Sequence, residues 1–203
     1  MSEEVTGGSA WLMVVDMQFA FSDKGSSWFM KGYERARLAT LDILPFFADR
    51  VIYTRFTPPA EEVGGWIPYY ERWDEFTRKR APLPEAAEGS VWDIDLGDDV
   101  IRHVLDAPTF SKWIPDRLPH EALESRELFV AGVALECCVL ATVLAAIDDS
   151  MRVYVVEEAV AASSEAAEEA TMTILRGRSP QVSIVQASEL RNDRAELRRQ
   201  PEE

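Results

Sequence analysis

An acid, a thiol and an amine each stand just beyond an apolar run. Asp16 follows Trp11-Leu12-Met13-Val14-Val15, Cys138 comes six residues after Gly132 in Ala131-Gly132-Val133, and Lys112 closes the segment Asp106-Ala107-Pro108-Thr109-Phe110-Ser111-Lys112. If those runs are strands of a parallel sheet, all three side chains collect beyond its carboxyl edge, where open sheets bind ligands. A carboxylate in such a place is costly to desolvate unless it is paired or used. A cysteine in the first turn of a helix meets amides that lower a thiol pKa and can donate to an oxyanion. Cys attacking, Asp relaying the proton and Lys holding charge make an acyl-transfer set. The plain alternatives are a loop-capping Asp, a buried small Cys and a solvated Lys beside Trp113. Adjacent residues on a helix point about 100° apart, so only one of Cys137 and Cys138 can face the crevice, and the spacing from Gly132 selects Cys138. Asp16→Asn then removes basicity at constant size and should leave the fold nearly intact.

The elements that must position these groups are readable from periodicity. Trp11 to Val15, Val51 to Tyr53, Val100 to Leu105, Leu128 to Val133, Val153 to Val156 and Val182 to Val185 read as strands. Tyr33 to Phe47, Leu118 to Glu124, Leu135 to Asp149 and Ser163 to Leu175 read as helices, with apolar residues three and four apart. Such alternation predicts βαβ units and a single-domain α/β/α fold of three layers with a six-stranded, mostly parallel sheet over 1–203. Residues 190–203 read as a charged, frayed tail. Leu128 to Ile147 has the length and apolarity of a membrane span, but Gly132 interrupts it and Glu136 would put a carboxylate near its middle. A buried strand running into a packed helix explains the same letters. Phe56 to Trp92, with Trp66, Tyr69, Tyr70, Trp73 and Phe76, is a long connection of the kind that forms lids or interfaces, its rings expected to lie exposed for assembly, the alternative being simple packing over the sheet edge.

Composition narrows the function classes. The 203 residues carry 21 Lys plus Arg against 36 Asp plus Glu, a formal charge of −15 that repels phosphate backbones and anionic lipid. Nucleic acid and membrane are therefore not expected partners. The only two cysteines are neighbours, so no disulfide framework can span the fold, and with no secretory signal at the N-terminus a cytoplasmic location is expected. No G-x-G-x-x-G follows the first strand and no phosphate-binding G-x-x-x-x-G-K-[ST] occurs, which argues against a dinucleotide or nucleotide cofactor.

Val14-Val15-Asp16-Met17-Gln18 with Phe21, and Ala131-Gly132-Val133 with Cys138-Val139 and Ala141-Thr142, resemble the isochorismatase-like cysteine hydrolases over Trp11 to Leu175. The resemblance implies Asp16 as base, Cys138 as nucleophile and a lysine between them. It also implies a cis peptide at Val133–Ala134 that turns backbone N–H groups toward an oxyanion, so Val133, Ala134 and Cys138 are the expected oxyanion site. Three departures follow. Phe19 and Ala20 replace the usual Asn-Asp pair after Gln18. The usual lysine position falls on His103 or Val104, so the role is assigned to Lys112, with His103 as runner-up. Thr54-Arg55-Phe56-Thr57 lacks the Asp-x-His ligands of nicotinamidases, so no metal and no other cofactor is expected. Gln18, Phe21, Trp66 and Tyr69 are expected to bind substrate. The implied activity is C–N hydrolysis of a small amide or carbamoyl compound in a homo-dimer or homo-tetramer, the alternative being a non-catalytic binding or scaffold protein of the same fold.

Overall fold

In the computed structural model, which describes residues 9–59, 61–73, 91–97 and 103–190, the elements are β1 (Trp11–Val15), α1 (Phe19–Ser22), α2 (Tyr33–Ile43), β2 (Val51–Phe56), α3 (Trp66–Arg72), β3 (His103–Ala107), α4 (His120–Ser125), β4 (Glu127–Gly132), α5 (Leu140–Asp148), β5 (Arg152–Val160), α6 (Glu165–Arg176) and β6 (Val182–Val185). The strands form one sheet in the order β3-β2-β1-β4-β5-β6, and every neighbouring pair is parallel. The chain builds outward from β1 through β2 to β3, then returns to the other side of β1 and builds outward again. β1 and β4 therefore flank the point where the winding reverses, the place where such sheets open a crevice.

Both faces of β1 are buried, and its side chains alternate between two cores. Leu12 and Val14 join Tyr33, Ala36 and Ile43 of α2 on one face. Trp11, Met13 and Val15 join Val143 and Ala146 of α5 and Met172 and Leu175 of α6 on the other. Burial on both sides is why these strands read as unbroken apolar runs. α6 starts where Ser164 accepts the Ala167 N–H at 3.2 Å, with Glu165 and Glu168 in its first turn against the positive helix end.

The apolar run from Leu128 to Ile147 splits into β4, a π-helical turn (Leu135–Val139) and α5. Among the described residues no helix is long and apolar enough to cross a membrane. Glu136 is tolerated in that run because its carboxylate accepts the Ser163 N–H at 3.1 Å at the partly exposed rim.

The long connection follows the packing alternative. It contains α3, whose Trp66, Tyr69, Tyr70 and Trp73 share one face and pack inward, Tyr70 being fully buried. Pro68 falls in the first turn, where a missing N–H breaks no helical bond. The rings expected to lie exposed are thus core material, and the exposed apolar residues here are Val63 and Ile67. Val100 to Arg102 of the third strand candidate, Phe76 and residues 191–203 lie outside the described residues.

Candidate active site

The register sets the ends of β1 and β4 side by side, with Val15 opposite Gly132. Gly132 has φ +114, and a Cβ there would stand 2.0 Å from the Val15 carbonyl oxygen. Only glycine lets the two strand ends meet so closely. The next residue on β1, Asp16, adopts a left-handed φ of +49 and is fully buried.

Asp16 is tied down on one side. Its N–H donates to Thr54 Oγ1 at 3.2 Å, and the Thr54 hydroxyl donates back to Oδ1 at 2.7 Å. Oδ2 stands 3.3 Å from Lys112 Nζ. Burial raises the Asp16 pKa above the ordinary carboxylate value, opposed first by the charge of Lys112 and then by hydrogen bonds from Thr54 and Cys138.

Lys112 is fully buried, and its ammonium is held in place. Nζ donates to the carbonyls of Ala107 at 3.1 Å and Thr109 at 2.6 Å and lies 4.8 Å from the Phe56 ring centroid. Its backbone N–H donates to Thr142 Oγ1 at 2.9 Å, and that hydroxyl donates to the Cys138 carbonyl at 2.6 Å. Thr142 therefore fastens the lysine loop to the cysteine turn. His103, the runner-up, sits at the opposite end of its strand near Trp11. There it lines a separate cavity of about 670 Å³ at the amino edge of the sheet, remote from Asp16 and Cys138.

Cys138 is 5% exposed. The helix start was expected to lower its pKa, yet a hydrogen bond with Cys137, burial and the nearby Asp16 charge raise it well above the ordinary thiol value. Cys137 beside it, the dry surroundings and the Asp16 carboxylate together outweigh the dipole. Cys137, partly exposed, is lowered by its hydrogen bond with Cys138.

The Val133–Ala134 peptide is cis. Val133 N–H donates to Val15 O at 2.9 Å, so it is engaged within the sheet, whereas Ala134 and Cys138 line a cavity of about 440 Å³ above the strand ends. Phe21 and Tyr69 line it too, joined by Trp28, Phe56 and Phe110, which the sequence did not single out. Arg72 at the end of α3 supplies a cation to the lining. Gln18 and Trp66, expected to bind substrate, do not line this cavity. The Gln18 amide donates to the carbonyls of Phe56 and Trp92 and its Oε1 accepts the Phe56 N–H, which leaves it a strut between loops. Trp66 stands behind the wall, against Tyr69 and Phe110. Thr54 and Thr142 were missed as positioning groups, their signal being a hydroxyl within an otherwise apolar, buried run.

A family model for the Isochorismatase domain matches residues 10–189. Among solved structures, the chain is similar to a cysteine hydrolase from Pseudomonas syringae pv. phaseolicola 1448A, with 16% identity, TM-score 0.76, and 96% of this chain and 99% of that chain covered. It is also similar to an N-carbamoylsarcosine amidase from Thermoplasma acidophilum, with 16% identity, TM-score 0.62, and coverage of 88% and 96%. A third is a pyrazinamidase of Pyrococcus horikoshii in complex with zinc, with 23% identity, TM-score 0.64, and coverage of 88% and 99%. No curated protein sequence matches the chain. Among the described residues no group of three His, Cys, Asp or Glu side chains is placed to hold a metal ion.

Proposed function

The chain belongs to the isochorismatase-domain family, whose members are hydrolases, and on that premise we propose that it cleaves a C–N bond of a small amide or carbamoyl compound through a thioester on Cys138. The observation that carries this reading is the buried Asp16–Lys112 pair at 3.3 Å beside a thiol that lines an aromatic-walled cavity. A thiol held protonated at rest needs a base at the moment of attack, and Asp16 is the buried carboxylate whose charge acts on it.

In the first half, Cys138 Sγ attacks the carbonyl carbon while its proton passes to Asp16. The tetrahedral oxyanion forms against the backbone around Ala134 and Cys138. Asp16 returns the proton to the departing nitrogen, and amine or ammonia leaves behind a thioester. In the second half, Asp16 takes a proton from water, the hydroxide attacks the thioester, and the acid product leaves as the Cys138 thiol is restored. Lys112 opposes the rise that burial gives the Asp16 pKa and favours the ionised carboxylate between transfers. Its fixed charge lets Asp16 act as a base although burial alone favours the neutral acid. Phe21, Trp28 and Tyr69 offer flat apolar walls to the acyl group.

The test is release of ammonia or amine across a panel of small amides, ureas and carbamoyl acids. Turnover in the wild type that disappears in Cys138→Ala, with a slow substrate leaving its acyl mass on Cys138, is the expected result. A panel inert throughout, or an acyl adduct found on Cys137 alone, overturns the reading and favours a binding module.

A further inference from the structure

Cys137 has no role in the hydrolysis described above, yet it lines the same cavity as Cys138. It is the more accessible of the two thiols, partly exposed where Cys138 is 5% exposed. These are the chain's only cysteines, so each thiol has one intramolecular partner. Both lie in the π-helical turn Leu135–Val139, where the N–H groups of Cys137 and Val139 share the Ala134 carbonyl at 3.0 and 3.1 Å. The charged and titratable groups acting on the pair come from each side: Asp16 after β1, Lys112 after β3, Tyr69 of α3 and Glu136 of the same turn. Cys138 beside Cys137, helped by Lys112, outweighs burial, Glu136 and Asp16, and leaves Cys137 the more acidic thiol and hence the better first nucleophile toward an oxidant.

We propose that Cys137 and Cys138 form a peroxide-responsive dithiol, in which a hydroperoxide oxidises Cys137 and Cys138 then closes a disulfide on it, reversibly removing the hydrolytic thiol. In the first step Cys137 sulfur attacks the outer peroxide oxygen. The O–O bond breaks, an S–O bond forms, and water or an alcohol leaves as the sulfur becomes a sulfenic acid. In the second step Cys138 gives its proton to Asp16 and attacks the Cys137 sulfur. The S–S bond forms, the S–O bond breaks, and the departing hydroxide takes that proton and leaves as water. Two thiols are oxidised by two electrons, and one hydroperoxide is reduced.

Neighbouring Cα atoms stand about 3.8 Å apart, closer than the roughly 4.4–6.8 Å usual across a disulfide. The closed ring is therefore strained and readily reduced, which suits a switch and not a structural staple. That closure silences turnover rests on the proposed role of Cys138, whereas closure itself does not.

The full-length protein is exposed to stoichiometric hydrogen peroxide, and its remaining thiols are then blocked. Mass and peptide mapping should show loss of two hydrogens, no blocked thiol and recovery of both thiols with dithiothreitol. Cys138→Ser should stop at a sulfenic acid on Cys137 that dimedone traps, and Cys137→Ser should oxidise at least tenfold more slowly. Wild type that gains oxygen without losing two hydrogens, forms only intermolecular disulfides, or reacts no faster than Cys137→Ser overturns the proposal. None of these readouts needs a substrate. A failed hydrolysis assay therefore leaves this test intact, and turnover measured under reducing conditions survives a failure of the dithiol.

Discussion

Removing one partner of the Asp16–Lys112 pair should destabilise the protein far more than removing both. At 3.3 Å the gross attraction is about 5 kcal/mol with an effective dielectric constant near 20. Asp16→Asn leaves a fully buried ammonium with two carbonyl acceptors and the Phe56 ring. Those partners offset some of the loss, which places the cost near the lower end of the roughly 3–5 kcal/mol typical of an orphaned buried charge. Lys112→Met leaves the Ala107 and Thr109 carbonyls without their donor, and the carboxylate can escape its isolation by taking a proton. The double variant holds no charge in the pocket and should cost less than either single change, giving a coupling energy of about 3–5 kcal/mol. Where the sequence alone leads to a fold left nearly intact by Asp16→Asn, the buried pair leads to a measurable loss, because the carboxylate is the partner of a buried cation. Urea unfolding of the four proteins gives the cycle directly, provided the denaturant slope is unchanged. A pH series adds a second check. A carboxyl group whose folded pKa lies above its unfolded value binds more protons when folded, so stability falls as pH rises through the folded value. Asp16 is already raised by burial and loses its main opposing charge in Lys112→Met. The deficit of that variant should therefore shrink as pH falls through the raised Asp16 value. Additive single effects within about 0.5 kcal/mol would refute the pairing.

Gly132→Ala sets a Cβ 2.0 Å from the Val15 carbonyl oxygen at φ +114, so strain and overpacking together should cost more than about 3 kcal/mol and lower the melting temperature by roughly 10 °C. A loss under about 1 kcal/mol by calorimetry would show that the strand ends are not in contact. Thr142→Val removes the acceptor of the Lys112 N–H and the donor to the Cys138 carbonyl, a change of about 1–3 kcal/mol in urea unfolding; an effect within error would discard the bridge. Burial raises the Tyr53 phenol to about 12, so its contribution to stability is complete below about pH 10 and is lost as pH climbs through 12. Near-ultraviolet titration should show phenolate forming together with unfolding, and full ionisation near pH 10 in a folded protein would contradict it.

Asp16 and Cys138 were legible because each follows a strand whose apolar run is unambiguous, and the position of β1 beside β4 needs only the alternation of elements. Lys112 was harder, since its place in the chain does not show that the loop after β3 folds back far enough to lay Nζ against Asp16. His103 looked comparable in sequence because register alone decides which end of β3 it occupies. α3 was hidden by Gly64, Gly65 and Pro68, although Trp66, Tyr69, Tyr70 and Trp73 carry a helical spacing. The acidity of Cys138 was misjudged for a different reason: a helix start is read locally, whereas the weight of Cys137, burial and the Asp16 charge against it is set by the packed site.

Gln18 gives the molecule a division of labour. The chain leaves the sheet at Phe56 and is gripped again at Trp92, both by one carboxamide, while Ile94 pairs antiparallel with Gln18 itself. The roots of the excursion between β2 and residue 91 are thereby pinned to the residue pair that follows Asp16. Sequence inserted, deleted or exchanged between those roots can reshape the wall of the chamber, including Tyr69 and Arg72, without transmitting a shift to the buried acid after β1. A graft of that segment from another hydrolase of this architecture should therefore transplant substrate preference while the chemistry stays where it was, so long as Gln18 and its two carbonyl partners are kept.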